Sequence, residues 1–510
     1  MANHSVKHRF VYSLISNGMV GLLTGLTSLI LARSMGPSDY GVFVFLAGSF
    51  LALRVLTDLG SGVAFYTFIS QKPRGIKFLK AYLGWQGIQF LFPIIIIGLA
   101  IPEAWVHKIW LGQDRGIILL AFLAVFMRYN AWQTLIYLGE SQRLTVRVQL
   151  WTAAISVVHL SILIFLWRQS LVLLPLVLLV TTMEYIGALC LAWKKIGIHI
   201  PPEENFNGKA LLRKYRDYCT PLIGLSVLSF GSAFSDRWLL QHFGGPVEQA
   251  FYGIGQQFSV VGLLAATALV NIFWKEISEA HTQKNNALVK HLYQKTIRFL
   301  FFIGACFSGC LIPWSEEIVI LLFGSAYAEG STALAIMLLY PIHRSFYQLT
   351  LIYLLAVGHT KIHLKYSAIF FGIGIPISYL VQADKESFAL GQDMGAVGMA
   401  LKIIFLQILE ANLLHWWITK NNKWEFDWFF QLFSMGAALC IGYISYEMTM
   451  AINFHFMENL VVKFMLSLFI YFALMSVSIW LAPGMAGTSR QEVRSHASEI
   501  YNQLLKGLKP

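Results

Sequence analysis

Residues 13–62 read SLISNGMVGLLTGLTSLILARSMGPSDYGVFVFLAGSFLALRVLTDLGSG. An apolar run from about Phe10 to Ala32 gives way to the short polar turn RSMGPSDY. A second apolar run starts at Gly41 and carries Arg54 and Asp58 inside it. A membrane-crossing helix needs about 20 apolar residues, and Gly-Pro stops one helix and restarts another. A chain that crosses, turns and crosses again within this stretch has lipid as its main solvent. Because more spans follow at once, the first helix is expected to be retained rather than cleaved as a signal.

The remainder follows the same rule. Of its 510 residues, 57% are hydrophobic and 13% charged, about half the charge density of a soluble domain; mean hydropathy is +0.61. Spans are expected near 10–32, 41–69, 80–101, 116–138, 148–167, 171–193, 219–240, 251–273, 294–313, 331–357, 364–382, 395–418, 428–450 and 460–482. The expected fold is an all-α membrane protein of about fourteen transmembrane helices. With the N-terminus cytoplasmic, 27 of the 38 Lys and Arg fall in cytoplasmic segments, six in the opposite loops and five inside spans. That asymmetry sets orientation by the positive-inside rule and puts both ends inside. The net charge of +12 is thereby mostly topology, and no nucleic-acid partner is needed to account for it. GKALLRKYRDY (208–218) reads as a short basic amphipathic helix on the anionic inner surface, and the tail 489–508 as another.

Leu31–Phe43, LARSMGPSDYGVF, compares with Leu240–Tyr252, LQHFGGPVEQAFY, at an offset of 209. Gly36-Pro37 matches Gly245-Pro246, and each opens the first outside loop of a six-span block. Two like-oriented lobes follow, as in transporters with parallel repeats: residues 1–200, residues 201–420, an appendix of two spans over 421–482, and a cytoplasmic tail over 483–510.

A charge at mid-span costs about 2.5–3.5 kcal/mol on insertion scales, so each buried one needs water or a partner. Arg54 and Asp58 share a helix face, which fits either a direct pair or a cavity wall. Arg128 has no acid in its own helix. Arg237 adjoins Asp236, and Arg344 follows Pro341 in LLYPIHRSFYQLT, beside His343 and Gln348. Lys402 and Glu410 share a face, and Glu184 is the lone acid of its span. Five bases against four acids suit a wet cavity that prefers anions, with arginine forks gripping phosphate oxygens. Trp105, Trp110, Trp416 and Trp417 are expected at the membrane interfaces. The five cysteines read as small packing residues, Cys306 and Cys310 lacking the companions of a metal site. No GxxxxGK[ST] loop occurs, so neither metal nor cofactor is expected.

The LAR-x-x-GP-x-x-YG turn (Leu31, Ala32, Arg33, Gly36, Pro37, Tyr40, Gly41) and Asp58-Leu59-Gly60 resemble the polysaccharide-transport branch, which includes the O-antigen flippases, of the multidrug/oligosaccharidyl-lipid/polysaccharide exporter superfamily. The resemblance implies two six-helix lobes around a cavity that opens alternately to each side. It implies translocation of an undecaprenyl-diphosphate-linked oligosaccharide from the cytoplasmic to the periplasmic leaflet of a bacterial inner membrane, for surface polysaccharide biosynthesis. Arg54, Arg128, Arg344, Lys402 and Arg237 become the candidate substrate-binding residues, and Asp58, Asp236 and Glu184 the ion-coupling candidates. The implied partners are the polyprenyl-linked glycan, membrane lipids, and glycan polymerase and chain-length machinery. The competing readings are an ion-coupled multidrug exporter of the same superfamily and a membrane glycan polymerase or ligase. An enzyme would need a sizeable outside loop or clustered carboxylates, and the longest outside loop, about 314–330, is short.

Overall fold

The computed structural model describes residues 6–202, 207–452, 459–488 and 490–491. The tail helix expected over 489–508 lies almost wholly outside them. The described residues form helices with no strand between them. In chain order these are α1 (Val6–Asp58), α2 (Ser61–Gln71), α3 (Ile76–Ile95), α4 (Glu103–Ile109), α5 (Arg115–Phe126), α6 (Trp132–Ser141), α7 (Thr145–Arg168), α8 (Leu174–Lys195) and α9 (Gly208–Leu239). Then come α10 (Gly245–Thr282), α11 (Asn286–Leu311), α12 (Ser315–Phe323), α13 (Ser331–Met337), α14 (Tyr340–Ala356), α15 (Thr360–Gln382), α16 (Gly395–Asn422), α17 (Trp428–Met450) and α18 (Leu460–Leu481).

Among the described residues, 11 helical segments are long and apolar enough to cross a membrane. Two of them, of 44 and 56 residues, would be about 66 and 84 Å long if straight, roughly twice a bilayer core or more. Each is broken once and so crosses twice. The breaks fall at Gly36 (φ 75°, ψ 171°) and Gly245 (φ 78°, ψ −178°), a backbone region open essentially to glycine alone. Pro37 and Pro246 then restart the helices. The repeat read from thin sequence identity is thus a shared, unusual turn. The interrupted pair α13 and α14 occupies the span expected near 331–357.

The two turns also meet. A Cβ on Gly41 would fall on the Pro246 carbonyl, and one on Gly253 would press on Val44. Small residues let these backbones approach, as is usual between helices in lipid.

By contacts the chain divides into two compact units, Met1–Gly253 with Phe371–Met399, and Ile254–Phe370 with Ala400–Pro510. The first holds a core of Phe45, Phe50, Trp110 and Phe122. In the second, α11 carries Tyr293 and Phe301 against Phe346, Leu414 and Phe430. There Gly309 and Gly442 let α11 and α17 touch backbone to backbone. Large apolar side chains such as Leu99, Phe429 and Phe469 stand exposed, as lipid-facing residues do.

Two sequence expectations change. Trp110 is buried and stacks on Phe50 at 6.1 Å between ring centroids, whereas Trp105 and Trp416 are exposed; its indole fills the core instead of an interface belt. The basic stretch 208–218 forms no separate surface helix. It is the first three turns of α9, which runs unbroken to Leu239.

Candidate functional site

Asp58 ends α1, and Leu59 (φ 50°) and Gly60 (φ 81°) turn the chain through left-handed conformations. The Asp58 carboxylate accepts hydrogen bonds from the Ser61 hydroxyl at 2.8 Å and the Gly62 amide at 2.9 Å. It satisfies the open N-terminus of α2, as a capping aspartate does. Arg54 and Asp58 form no ion pair, so the direct pairing that their spacing allowed is absent. From Ser61 a buried network continues. Its hydroxyl receives Trp85 Nε1 at 2.9 Å and Gln89 Nε2 at 3.2 Å. Gln89 Oε1 accepts from Asn130 at 3.3 Å, and Gln86 donates to Thr134 at 2.6 Å. Polar atoms with no water to bind hold one another.

Asn130 lies in a π-helical turn, Met127–Ala131, that also carries Arg128. Such turns insert one extra residue and often mark functional positions. The Arg128 guanidinium sits 5.2 Å from the centre of the Tyr129 ring. Among the described residues it reaches no carboxylate within ion-pair distance, although the charge of Glu184 acts on it. Glu184 is engaged elsewhere: its Oε2 lies 2.6 Å from His159 Nδ1, both side chains being about 90% buried, and its Oε1 is buried without a hydrogen bond.

On α9, the Asp236 carboxylate accepts from the Ser378 hydroxyl of α15 at 2.5 Å. Arg237 lays its guanidinium over Gly48 of α1, where any Cβ would collide with it. Both belong to the first unit.

In the second unit, Arg344 and Glu410 anchor a polar cluster spread over α14, α15 and α16. Arg344 Nη1 donates to Gln407 Oε1 at 3.4 Å, and its guanidinium lies 5.0 Å from the Tyr347 ring centre. Ser367 donates to Glu410 at 3.4 Å, and Tyr347 and Ser367 both reach His363 Nδ1. Arg344 and Glu410 act on each other through space without closing an ion pair. Pro341 stands in the first turn of α14, just after the break at Leu338–Leu339, so Arg344 begins a helix rather than kinking one. Lys402 is buried on α16.

Of the candidates, Arg54, Asp58, Arg128, Glu184, Asp236 and Arg237 belong to the first unit, and Arg344 and Lys402 to the second. Reading the sequence missed His159, Ser378, Gln407 and the Ser61–Gln89–Asn130 chain. Polar residues inside apolar runs were the available signal, but their partners lie 25 to 142 positions away and spacing rules see one helix at a time. Among the described residues no group of three or more metal-binding side chains occurs.

Comparison with known proteins places this arrangement. The family model described as polysaccharide biosynthesis protein matches residues 6–273, and that described as MatE matches residues 221–380. No curated protein sequence matches significantly. Among solved structures, a lipid II flippase MurJ in an inward closed conformation aligns with a TM-score of 0.68 at 14% identity, covering 92% of this chain and 98% of that one. An inward-facing multidrug resistance MATE family transporter aligns with a TM-score of 0.54 at 14% identity, covering 79% and 96%. At these identities the likeness is one of fold. With the family match spanning more than half the sequence, the chain belongs to the polysaccharide biosynthesis protein family, a multi-pass membrane group within the exporter superfamily that the turn at Gly36-Pro37 resembles.

Proposed function

We propose that the protein is a flippase that carries an undecaprenyl-diphosphate-linked oligosaccharide from the cytoplasmic to the periplasmic leaflet by alternating access. The reading rests on one observation above the others: Arg128 and Arg344, set within the bilayer, reach no carboxylate within ion-pair distance among the described residues. A membrane-embedded guanidinium that closes no ion pair with the acid near it retains hydrogen-bonding capacity for an anion, and family membership makes a lipid-linked saccharide the anion of choice.

Arg54, Arg128, Arg237, Arg344 and Lys402 hold the diphosphate or acidic sugars in this scheme, and Asp58, Asp236 and Glu184 are the positions for ion coupling. The lobes are residues 1–200 and 201–420, the membrane is the bacterial inner membrane, and both termini are cytoplasmic. An anion leaving a negative cytoplasm gains about 2.3 kcal/mol per charge per 100 mV, so the potential favours export. Polymerase and chain-length proteins would act on the delivered product.

The test is reconstitution in vesicles holding a fluorescent undecaprenyl-diphosphate saccharide, with outward movement read by accessibility to a membrane-impermeant reagent. Protein-dependent movement supports the reading; none, in a correctly folded preparation, overturns it. The match of residues 221–380 to the MatE model favours a second reading, ion-coupled export of small molecules. Ion-driven efflux of a cationic dye from the same vesicles, without movement of the saccharide, would establish it.

A further inference from the structure

Three adjoining cavities follow α9 through the first unit. One of about 470 Å³ lies between Tyr82, Trp85, Leu211, Tyr215 and Ile223. It shares Leu59 and Trp85 with a second of about 580 Å³, walled by Phe50, Ile88, Phe92 and Phe230. The second shares Ile109 and Phe234 with a third of about 780 Å³, which reaches Trp238 and Tyr379. Together they make an apolar groove that follows α9 from Leu211 to Trp238, about 40 Å at 1.5 Å per residue.

One end of the groove is basic. Lys209, Arg213 and Lys214 surround a polar hollow on the first turns of α9, and Arg216 lines the adjoining apolar cavity. Lys77 and Lys80 stand in the first turns of α3, whose Ala81 and Tyr82 wall the same cavity. Among the described residues two acids line these hollows. Asp217 pairs with Arg216 at 3.2 Å, and Asp58, on the inner wall, is held by Ser61 and Gly62. The carboxylate of Asp58 repels an anion that moves inward, so a phosphate is favoured at the mouth.

We propose that this groove holds the hydrocarbon chain of a polyprenyl phosphate, with the phosphate resting on the basic first turns of α9. The proposal builds on the flippase reading and names where the substrate's lipid portion sits. Length selects this occupant over an ordinary phospholipid. A phospholipid acyl chain reaches about 15 Å, half of the hydrocarbon core, and would leave more than half of the groove unfilled, whereas a polyprenyl chain longer than one leaflet fills it. Charge complementarity selects a phosphorylated lipid over a neutral one.

The test places the photoreactive residue p-benzoylphenylalanine at Ile223 in the full-length protein, in phosphatidylethanolamine nanodiscs, and adds radiolabelled undecaprenyl phosphate. The same residue at Phe469, a lipid-exposed position of α18, is the control, and Phe234 is a second groove position should the Ile223 variant fold poorly. The expected result is an adduct at Ile223 or Phe234 and little at Phe469. Unlabelled undecaprenyl phosphate removes it and excess phosphatidylglycerol does not. Arg213→Gln weakens labelling about fivefold, the loss of about 1 kcal/mol per basic residue near the surface. Equal labelling at Phe469 shows annular lipid only and overturns the proposal; displacement by phosphatidylglycerol assigns the groove to phospholipid and overturns it too. Saccharide movement by the unlabelled protein is scored separately, so loss of the groove site leaves the flippase reading standing, and loss of translocation with the adduct intact does the reverse.

Discussion

His159 Nδ1 lies 2.6 Å from Glu184 Oε2 across α7 and α8, and both side chains are about 90% buried. Neither partner was visible to the other in the sequence, 25 positions apart. Breaking a buried pair strands one member and costs about 3–5 kcal/mol, whereas replacing both with apolar residues is often neutral. His159→Leu is therefore expected to lower the midpoint of thermal unfolding in detergent markedly, with His159→Leu/Glu184→Leu recovering most of the loss. If the double variant kept its stability yet lost dependence of transport on the proton gradient, Glu184 would be a coupling residue as well as a packing one.

Asp58 separates two roles by a single substitution. Asp58→Asn keeps an oxygen for Ser61 and Gly62 but removes the charge, while Asp58→Ala removes both. The alanine variant is expected to cost about 0.5–2 kcal/mol of stability, the worth of a helix cap, measured by thermal unfolding. The asparagine variant should stay near the parent in stability. A fall in its translocation rate would assign Asp58 to ion coupling, and unchanged translocation would leave it a cap.

Arg344→Ala is expected to abolish surface glycan in cells while leaving protein level unchanged, because Arg344 holds Gln407 and Tyr347 only weakly. Immunoblotting measures the protein and gel analysis of the glycan measures export. Persistent glycan at normal protein level would make Arg344 idle in transport.

Gly36 and Gly245 hold the same glycine-only conformation. A non-glycine residue there costs about 1–3 kcal/mol. Gly36→Ala and Gly245→Ala are each expected to destabilise by about that amount, additively if the turns act independently. Gly25→Ala, in open space within α1, should be close to neutral. Thermal unfolding of the three variants decides it.

The helical architecture was legible because each crossing carries its own apolar run. The break at Gly36 was legible too, since glycine followed by proline has few other uses inside an apolar stretch. The partners of buried polar groups were not. Asp58 and Arg54, at helical spacing, fitted either a pair or a cavity wall, but a turn at Leu59-Gly60 gave the carboxylate a donor in Ser61. Asp236 found Ser378 on a helix 142 positions away, and no periodicity within α9 points there. Trp110 was misplaced for a related reason: an indole near a span end suits an interface, and only the packing of Phe50 shows it to be core.

Val44 and Gly253 occupy equivalent places in the repeat, yet one is branched and the other bare, and they touch. Two valines there would overlap and two glycines would leave a hole. An assembly of identical subunits has no means of placing valine on one side and glycine on the other, since both positions would be written by the same codon. Carrying both segments in one polypeptide removes that restriction, and each can be shaped to fit the other.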